Sequence, residues 1–162
     1  MITFDDIWWI PLLPLLGSLI NGLAGRRIGT RGVGAIACSA VGLSFLTALS
    51  LQVTLLGLPA GQRSVTVPVF EWIASGSLRV EAAFLADPLS ILMALVVTGV
   101  GFLIHVYSVG YMHDDPGYAR YFSYLNLFVF FMLVLVLSAD FVVLYLGWEG
   151  VGLCSYLLIG FW

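Results

Sequence analysis

The sequence predicts an all-α polytopic membrane protein of about five transmembrane helices, with a short extracytoplasmic β-hairpin between helices two and three. Two observations predict it. Of its 162 residues 61% are hydrophobic and only 9% charged, with a mean hydropathy of +1.08, far from the roughly 25% charged content of soluble domains. The apolar residues also fall into runs near 7–25, 33–57, 88–111, 121–138 and 141–162, each close to the ~20 residues that span ~30 Å of hydrocarbon. The whole chain reads as a single membrane domain. The net charge is −3 and every basic residue is Arg, which leaves no basic patch for nucleic acid.

The first run is preceded by Asp5 and Asp6 where a signal peptide would carry basic residues, so it reads as a retained helix that those carboxylates cap. Trp8 and Trp9 stand where an interfacial aromatic belt belongs, and Pro11 and Pro14 fall in the opening turns, where missing N–H groups cost least. The second run holds Gly34, Cys38 and Gly42 at four-residue spacing, a stripe that lets another helix approach closely. Segment 58–87 then changes period: Val65, Val67 and Val69 alternate with Thr66 and Pro68, and Leu78, Val80 and Ala82 alternate with Arg79 and Glu81 around Ala74-Ser75-Gly76-Ser77. That pattern is a hairpin, with Pro68 confining its strand to an edge or an end. A lone hairpin is marginal in water, so it is expected to lean on the helix ends or a neighbouring subunit.

Asp87-Pro88 opens the third helix with an N-cap and a Pro at the first helical position. Asp140, with Ser138 beside it, is expected to cap the fifth. Arg26, Arg27 and Arg31 lie between helices one and two, and Arg120 between helices three and four. Basic residues near helix ends are retained on the cytoplasmic side, so the N-terminus is expected outside.

Glu149 is the only Asp, Glu, Lys or Arg inside the five runs. An ionised side chain in hydrocarbon costs roughly 3 kcal/mol on insertion scales, so a carboxylate there needs a use. At 100° per residue, Val142, Tyr145, Gly152, Leu153, Tyr156 and Gly160 share its face. Tyr145 and Tyr156 offer hydroxyls that hydrogen-bond a carboxylate or relay a proton, and the glycines leave room for a helix or water. Desolvation raises a carboxyl pKa and a nearby cation lowers it, so Glu149 is the candidate proton carrier. His105 is a candidate relay near the cytoplasmic end of helix three, or an interfacial hydrogen-bonding group. Asn126 is expected to hydrogen-bond across helices or to pack. His113, Asp114 and Asp115 form a loop cluster with no fixed ligand geometry, and Cys38 and Cys154 lack any metal or redox spacing. No metal site is expected.

The stretches GWEGVGLCSYLLIGFW (147–162), HVYSVGYMHDDPGYARYFSYLNLFVFFM (105–132) and DPLS (87–90) resemble the chain L subunits of the proton-translocating NADH:quinone oxidoreductase, respiratory complex I. Those subunits are in turn similar to the large subunits of multisubunit cation/proton antiporters. The resemblance implies a non-redox subunit without a cofactor of its own, in a complex whose other subunits hold NADH, FMN, iron–sulfur clusters and quinone. It implies that Glu149 belongs to a proton channel and pairs with a Lys on a later helix, and that the outer hairpin ties neighbouring antiporter-like subunits together. It implies an energy-transducing inner membrane, the bacterial plasma membrane, as its place. Family chains are several times longer, with two inverted repeats and Lys on broken helices. This chain has no Lys, so it is expected to be the N-terminal portion, with the partner of Glu149 elsewhere. A cation/proton antiporter subunit and a non-pumping scaffold are the alternatives.

Overall fold

The computed structural model describes residues 3–76 and 78–162. Its helices are α1 (Trp9–Leu56), α2 (Pro88–Tyr111), α3 (Tyr118–Leu137) and α4 (Phe141–Ile159), with strands β1 (Val65–Ser75) and β2 (Leu78–Ala86) between α1 and α2. Each helical element is long and apolar enough to cross a membrane. α1 is two rods in one. At Gly29 the backbone takes φ 78 and ψ 168, a region open essentially to glycine alone, and the chain folds back into arms 9–28 and 30–56. Ser44 Oγ donates to Ile10 O at 2.6 Å and Asn21 Nδ2 to Val33 O at 3.3 Å, which fixes the arms side by side. The expected first and second helices are therefore joined by one residue instead of a loop over 26–32.

Asp5 and Asp6 do not cap α1. They lie in a preceding 3-10 turn, Phe4–Asp6, where Asp6 accepts from the Thr3 amide at 2.8 Å and the Thr3 hydroxyl at 3.1 Å. A carboxylate three residues after Thr3 finds that nearer pair of donors first. At α2 the Asp87 carboxylate accepts from Ser90 N at 2.7 Å while Asp87 N donates to Ser90 Oγ at 2.9 Å. At α4 the Asp140 carboxylate accepts from Val142 N at 2.7 Å.

β1 and β2 pair antiparallel, Val65 opposite Ala86 through Ser75 opposite Leu78, with irregularities between Pro68 and Phe70 and between Glu71 and Ile73. Pro68 has no N–H to give the ladder, and the first irregularity follows it directly. The strands run longer than the alternation suggests, because β-formers Phe70, Trp72 and Ile73 continue β1 past it. The turn uses Gly76 at φ 59; Ser77 and the side chain of Leu78, both part of the expected hairpin pattern, lie outside the described residues. The hairpin's base leans on helix ends: Ala139 N donates to Ala83 O at 3.0 Å, and Val65, Val67 and Phe84 pack on the apolar core. Its far half stands free, with Val69, Phe70, Trp72 and Ile73 exposed.

Two apolar clusters fill the interior. One, at the hairpin end, gathers Ile10, Val41, Leu51, Ile91, Val129 and Leu133; the other gathers Val33, Ala37, Met112, Tyr118 and Phe122. On α3, Asn126 stands between Phe122 of the second cluster and Val129 of the first. Arg26 and Arg120 line one pocket, so the α1 bend and the α2–α3 connection lie at the same end of the bundle, opposite the hairpin.

Candidate functional site

α4 starts where Asp140 caps it and packs on α3 through two glycines. A Cβ on Gly147 would stand 2.7 Å from the Leu135 amide nitrogen, and one on Gly150 would collide with the Phe131 ring. With Gly147 and Gly150 turned inward, the helical period turns Glu149, at the middle of α4, outward. Glu149 is exposed, and so are Tyr145 (62%), Trp148 (65%) and Tyr156 (75%). The Tyr145 hydroxyl lies beside the Glu149 carboxylate, one turn away on the same face. Tyr156 shares the face but stands two turns on, ~10 Å along the axis. A Cβ on Gly152 would meet nothing within 4 Å. The carboxylate thus sits on an open helix face with one phenol as its immediate neighbour.

His105 is elsewhere. It is fully buried on α2, and α3 packs between α2 and α4, so the structure does not bring His105 to Glu149. The His105 Nδ1 lies 2.7 Å from Gly101 O; because a carbonyl only accepts, Nδ1 carries the hydrogen and donates it. Nε2 then bears the lone pair and has no hydrogen-bond partner. The Asn126 carboxamide lies beside the ring. Asn126 is fully buried, and its Nδ2 donates to Phe122 O of its own helix at 3.2 Å instead of across helices. Its Oδ1 lacks a partner, as does that of buried Asn21.

At the Arg-bearing end, the Asp115 carboxylate accepts from the Trp162 indole at 2.9 Å and the Gly117 amide at 2.6 Å. These bonds, the indole's first, and the nearby Arg120 hold its carboxyl below the usual carboxylate range against a smaller desolvation effect. Arg120 also stacks on Phe161, 4.6 Å from the ring centroid. His113 Nδ1 meets Asp114 at 2.8 Å on the exposed loop. Among the described residues no group of three His, Cys, Asp or Glu side chains could hold a metal.

Sequence reasoning did not single out Ser18, Asn21 and Ser123, nor the α4 glycines that face α3. Ser18 and Ser123 exchange hydrogen bonds, each hydroxyl donating to the other's carbonyl at 2.8 and 2.9 Å. The available signal was the three-residue spacing of Ser18 with Asn21, of Ser123 with Asn126 and of Gly147 with Gly150, which marks one face of each helix.

Residues 72–122 match the family described as NADH-ubiquinone oxidoreductase (complex I), chain 5 N-terminus. The chain is 46% identical over 155 residues to NADH-quinone oxidoreductase subunit L of Mycobacterium tuberculosis strain H37Rv, covering 96% of this chain and 24% of that protein. Over nearly all of its own length the chain is similar to complex I subunit L. It is also 46% identical over 153 residues to NADH-ubiquinone oxidoreductase chain 5 of Chondrus crispus, covering 94% of this chain and 22% of the relative. Among solved structures, a chain of the Mrp complex from Dietzia sp. DQ12-45-1b superposes with a TM-score of 0.76 at 27% identity, over 96% of this chain and 16% of that one. The chain therefore spans about a quarter of the length of its subunit L and chain 5 relatives.

Proposed function

We propose that this chain is part of an antiporter-like, proton-translocating membrane subunit of an NADH:quinone oxidoreductase, and that Glu149 carries the proton. The observation that supports it is the placement of Glu149. In the middle of α4, on a face with no partner among the described residues, a carboxylate in hydrocarbon is stable in its protonated form, hydrogen-bonded with the Tyr145 hydroxyl beside it. When a cation approaches that open face, the same group favours the ionised form and releases its proton. Withdrawal of the cation reverses the preference. Moving one charge against 100 mV costs about 2.3 kcal/mol, so the driving event comes from electron transfer elsewhere in the complex, where NADH, FMN, iron–sulfur clusters and quinone reside. Tyr156, two turns away, contacts the same partner surface. His105 exchanges protons with the Arg-bearing end. In this reading the chain itself holds no cofactor, neighbours another antiporter-like subunit, and lies in an energy-transducing inner membrane with its N-terminus outside.

The likeness to the Mrp complex favours a second reading, a subunit of a multisubunit cation/proton antiporter. NADH-dependent quinone reduction that copurifies with the chain separates the two. The carrier role is tested with Glu149→Gln in the assembled complex. We expect the proton-to-electron ratio to fall while NADH oxidation in the presence of an uncoupler is largely kept. An unchanged ratio removes Glu149 from the path and leaves the chain as a scaffold.

A further inference from the structure

Between the two apolar clusters runs a line of polar side chains that the packing leaves unfinished. At the Arg-bearing end a pocket of about 460 Å³ is lined by Asn21, Gly22, Arg26, Arg120, Ser123 and Tyr124. Just inside it, Ser18 and Ser123 are bonded to each other across arm 9–28 and α3. One turn further along α3 is Asn126, whose carboxamide approaches arm 9–28 because residue 17 is glycine; a Cβ there would stand 3.3 Å from the Asn126 Oδ1. Beside Asn126 is the imidazole of His105.

Three atoms on this line are buried and unpartnered: Asn21 Oδ1, Asn126 Oδ1 and His105 Nε2. With Nδ1 donating to Gly101, all three are acceptors. An unsatisfied polar group inside a membrane protein is costly, and three acceptors cannot satisfy one another. Water can, because it brings two donors, and buried water sits at such groups in proteins generally. The cleft that His105 itself lines, about 250 Å³ between Val96, Val100, Ile104 and Met132, offers no donor.

We infer that ordered water occupies a line from the Arg26–Arg120 pocket to His105, and that the imidazole is its blind end, taking up and returning a proton through Nε2 alone. A water molecule that donates to both Nε2 and Asn126 Oδ1 joins the two acceptors. When that water passes a proton to Nε2 it takes one in turn from the next water toward the Arg26–Arg120 pocket, the new N–H donates toward Asn126 Oδ1, and the proton leaves by the reverse relay. Nδ1 cannot pass it on, since its hydrogen is held by a carbonyl of the same helix. The groups facing the ring are Gly101 on its own helix and Phe122 and Asn126 on α3. Among the described residues no Asp, Glu or Arg hydrogen-bonds or ion-pairs with it. His105 is then a proton store beside the Arg-bearing end, not a stepping stone toward Glu149.

This deepens the proton-exchange role of His105 proposed above and rests on it for its purpose, though not for its hydration. The chain has two histidines, and exposed His113 serves as an internal reference. The test is water-edited solid-state NMR on the full chain, labelled with ¹⁵N-histidine and held in bilayers at neutral pH. We expect a ring protonated at Nδ1, with water polarisation reaching His105 Nε2 at a rate comparable to the His113 ring, and several-fold more slowly in Asn126→Leu. A dry Nε2 in the wild-type chain overturns the water line, and a neutral ring with its hydrogen on Nε2 overturns the blind end. Neither result depends on the variant folding. A wet Nε2 combined with unchanged pumping by His105→Gln in the assembled complex leaves the hydration standing and removes only the role in translocation.

Discussion

Asp115 shows how a single carboxylate ties three segments together at the Arg-bearing end. Its oxygens accept from Trp162 after α4 and from Gly117 before α3, with Arg120 nearby. Because the folded-state pKa is depressed, the contribution of this tie is fully present above the unfolded value of ~3.9 and is lost only as pH falls through the lower folded value. The Trp162 indole N–H resonance should therefore hold its position from pH 7 to about 4 and shift below that. A shift that begins near pH 5 would mean the carboxyl is not depressed. In Asp115→Asn the same resonance should become independent of pH across that range. The sequence shows His113, Asp114 and Asp115 as one loop cluster, and only the fold separates them. His113 and Asp114 pair on the surface, while Asp115 turns toward a tryptophan 47 positions away. Such a partner has no local signature. Glu149 is the opposite case, legible because a lone carboxylate in an apolar run is costly wherever the run folds.

The starts of α2 and α4 are decided by local capping, and the helix faces by contacts made far along the chain. Asp87-Pro88 starts α2 where the capping rule puts it. The join at Gly29 was not legible, because Gly29 stands among the weak helix formers Thr30, Gly32 and Gly34, and such a stretch reads as a loop until its backbone angles are known. Gly29→Ala meets no steric obstruction, so its cost isolates the backbone. We expect a loss of about 1–3 kcal/mol in a reversible unfolding titration, and a cost near zero would show that the bend tolerates an ordinary φ. Gly147 tests packing instead. Its Cβ would press on the Leu135 backbone, which cannot rotate away. Gly147→Ala should cost about 1–3 kcal/mol by overpacking and separate α4 from α3, whereas Gly152→Ala, with nothing to press on, should leave stability unchanged or raise it by up to about 1 kcal/mol. Equal effects would mean that α4 packs by a different face, and Glu149 would then no longer point outward. The 100° winding alone identifies which residues share a face with Glu149 but not whether that face is covered. That requires the inward glycines.

At the scale of the whole molecule, the two ends of the bundle differ in charge and in architecture. Arg26 and Arg120 line one pocket at one end, with Arg27 and Arg31 flanking the same bend. The hairpin and the α3–α4 connection meet at the other, where Ala139 bonds to Ala83. Clustered Arg in short connections is retained on the cytoplasmic side, whereas the lone Arg63 and Arg79 of the longer hairpin segment bias orientation less. The orientation this predicts, with the N-terminus outside, is one that cysteine labelling can read. Native Cys38 and Cys154 lie within helical elements, so both are first replaced by Ser or Ala. Gly61→Cys then marks the hairpin end, at a position where an added Cβ meets nothing within 4 Å, and His113→Cys marks the exposed loop at the Arg end. In intact cells an impermeant maleimide should label Gly61→Cys at once and His113→Cys only after permeabilisation. The reverse pattern would put the Arg cluster outside, and the pocket that leads toward His105 would then open to the other compartment. Protons stored at His105 would be drawn from outside, and the branch could no longer serve uptake from the cytoplasm.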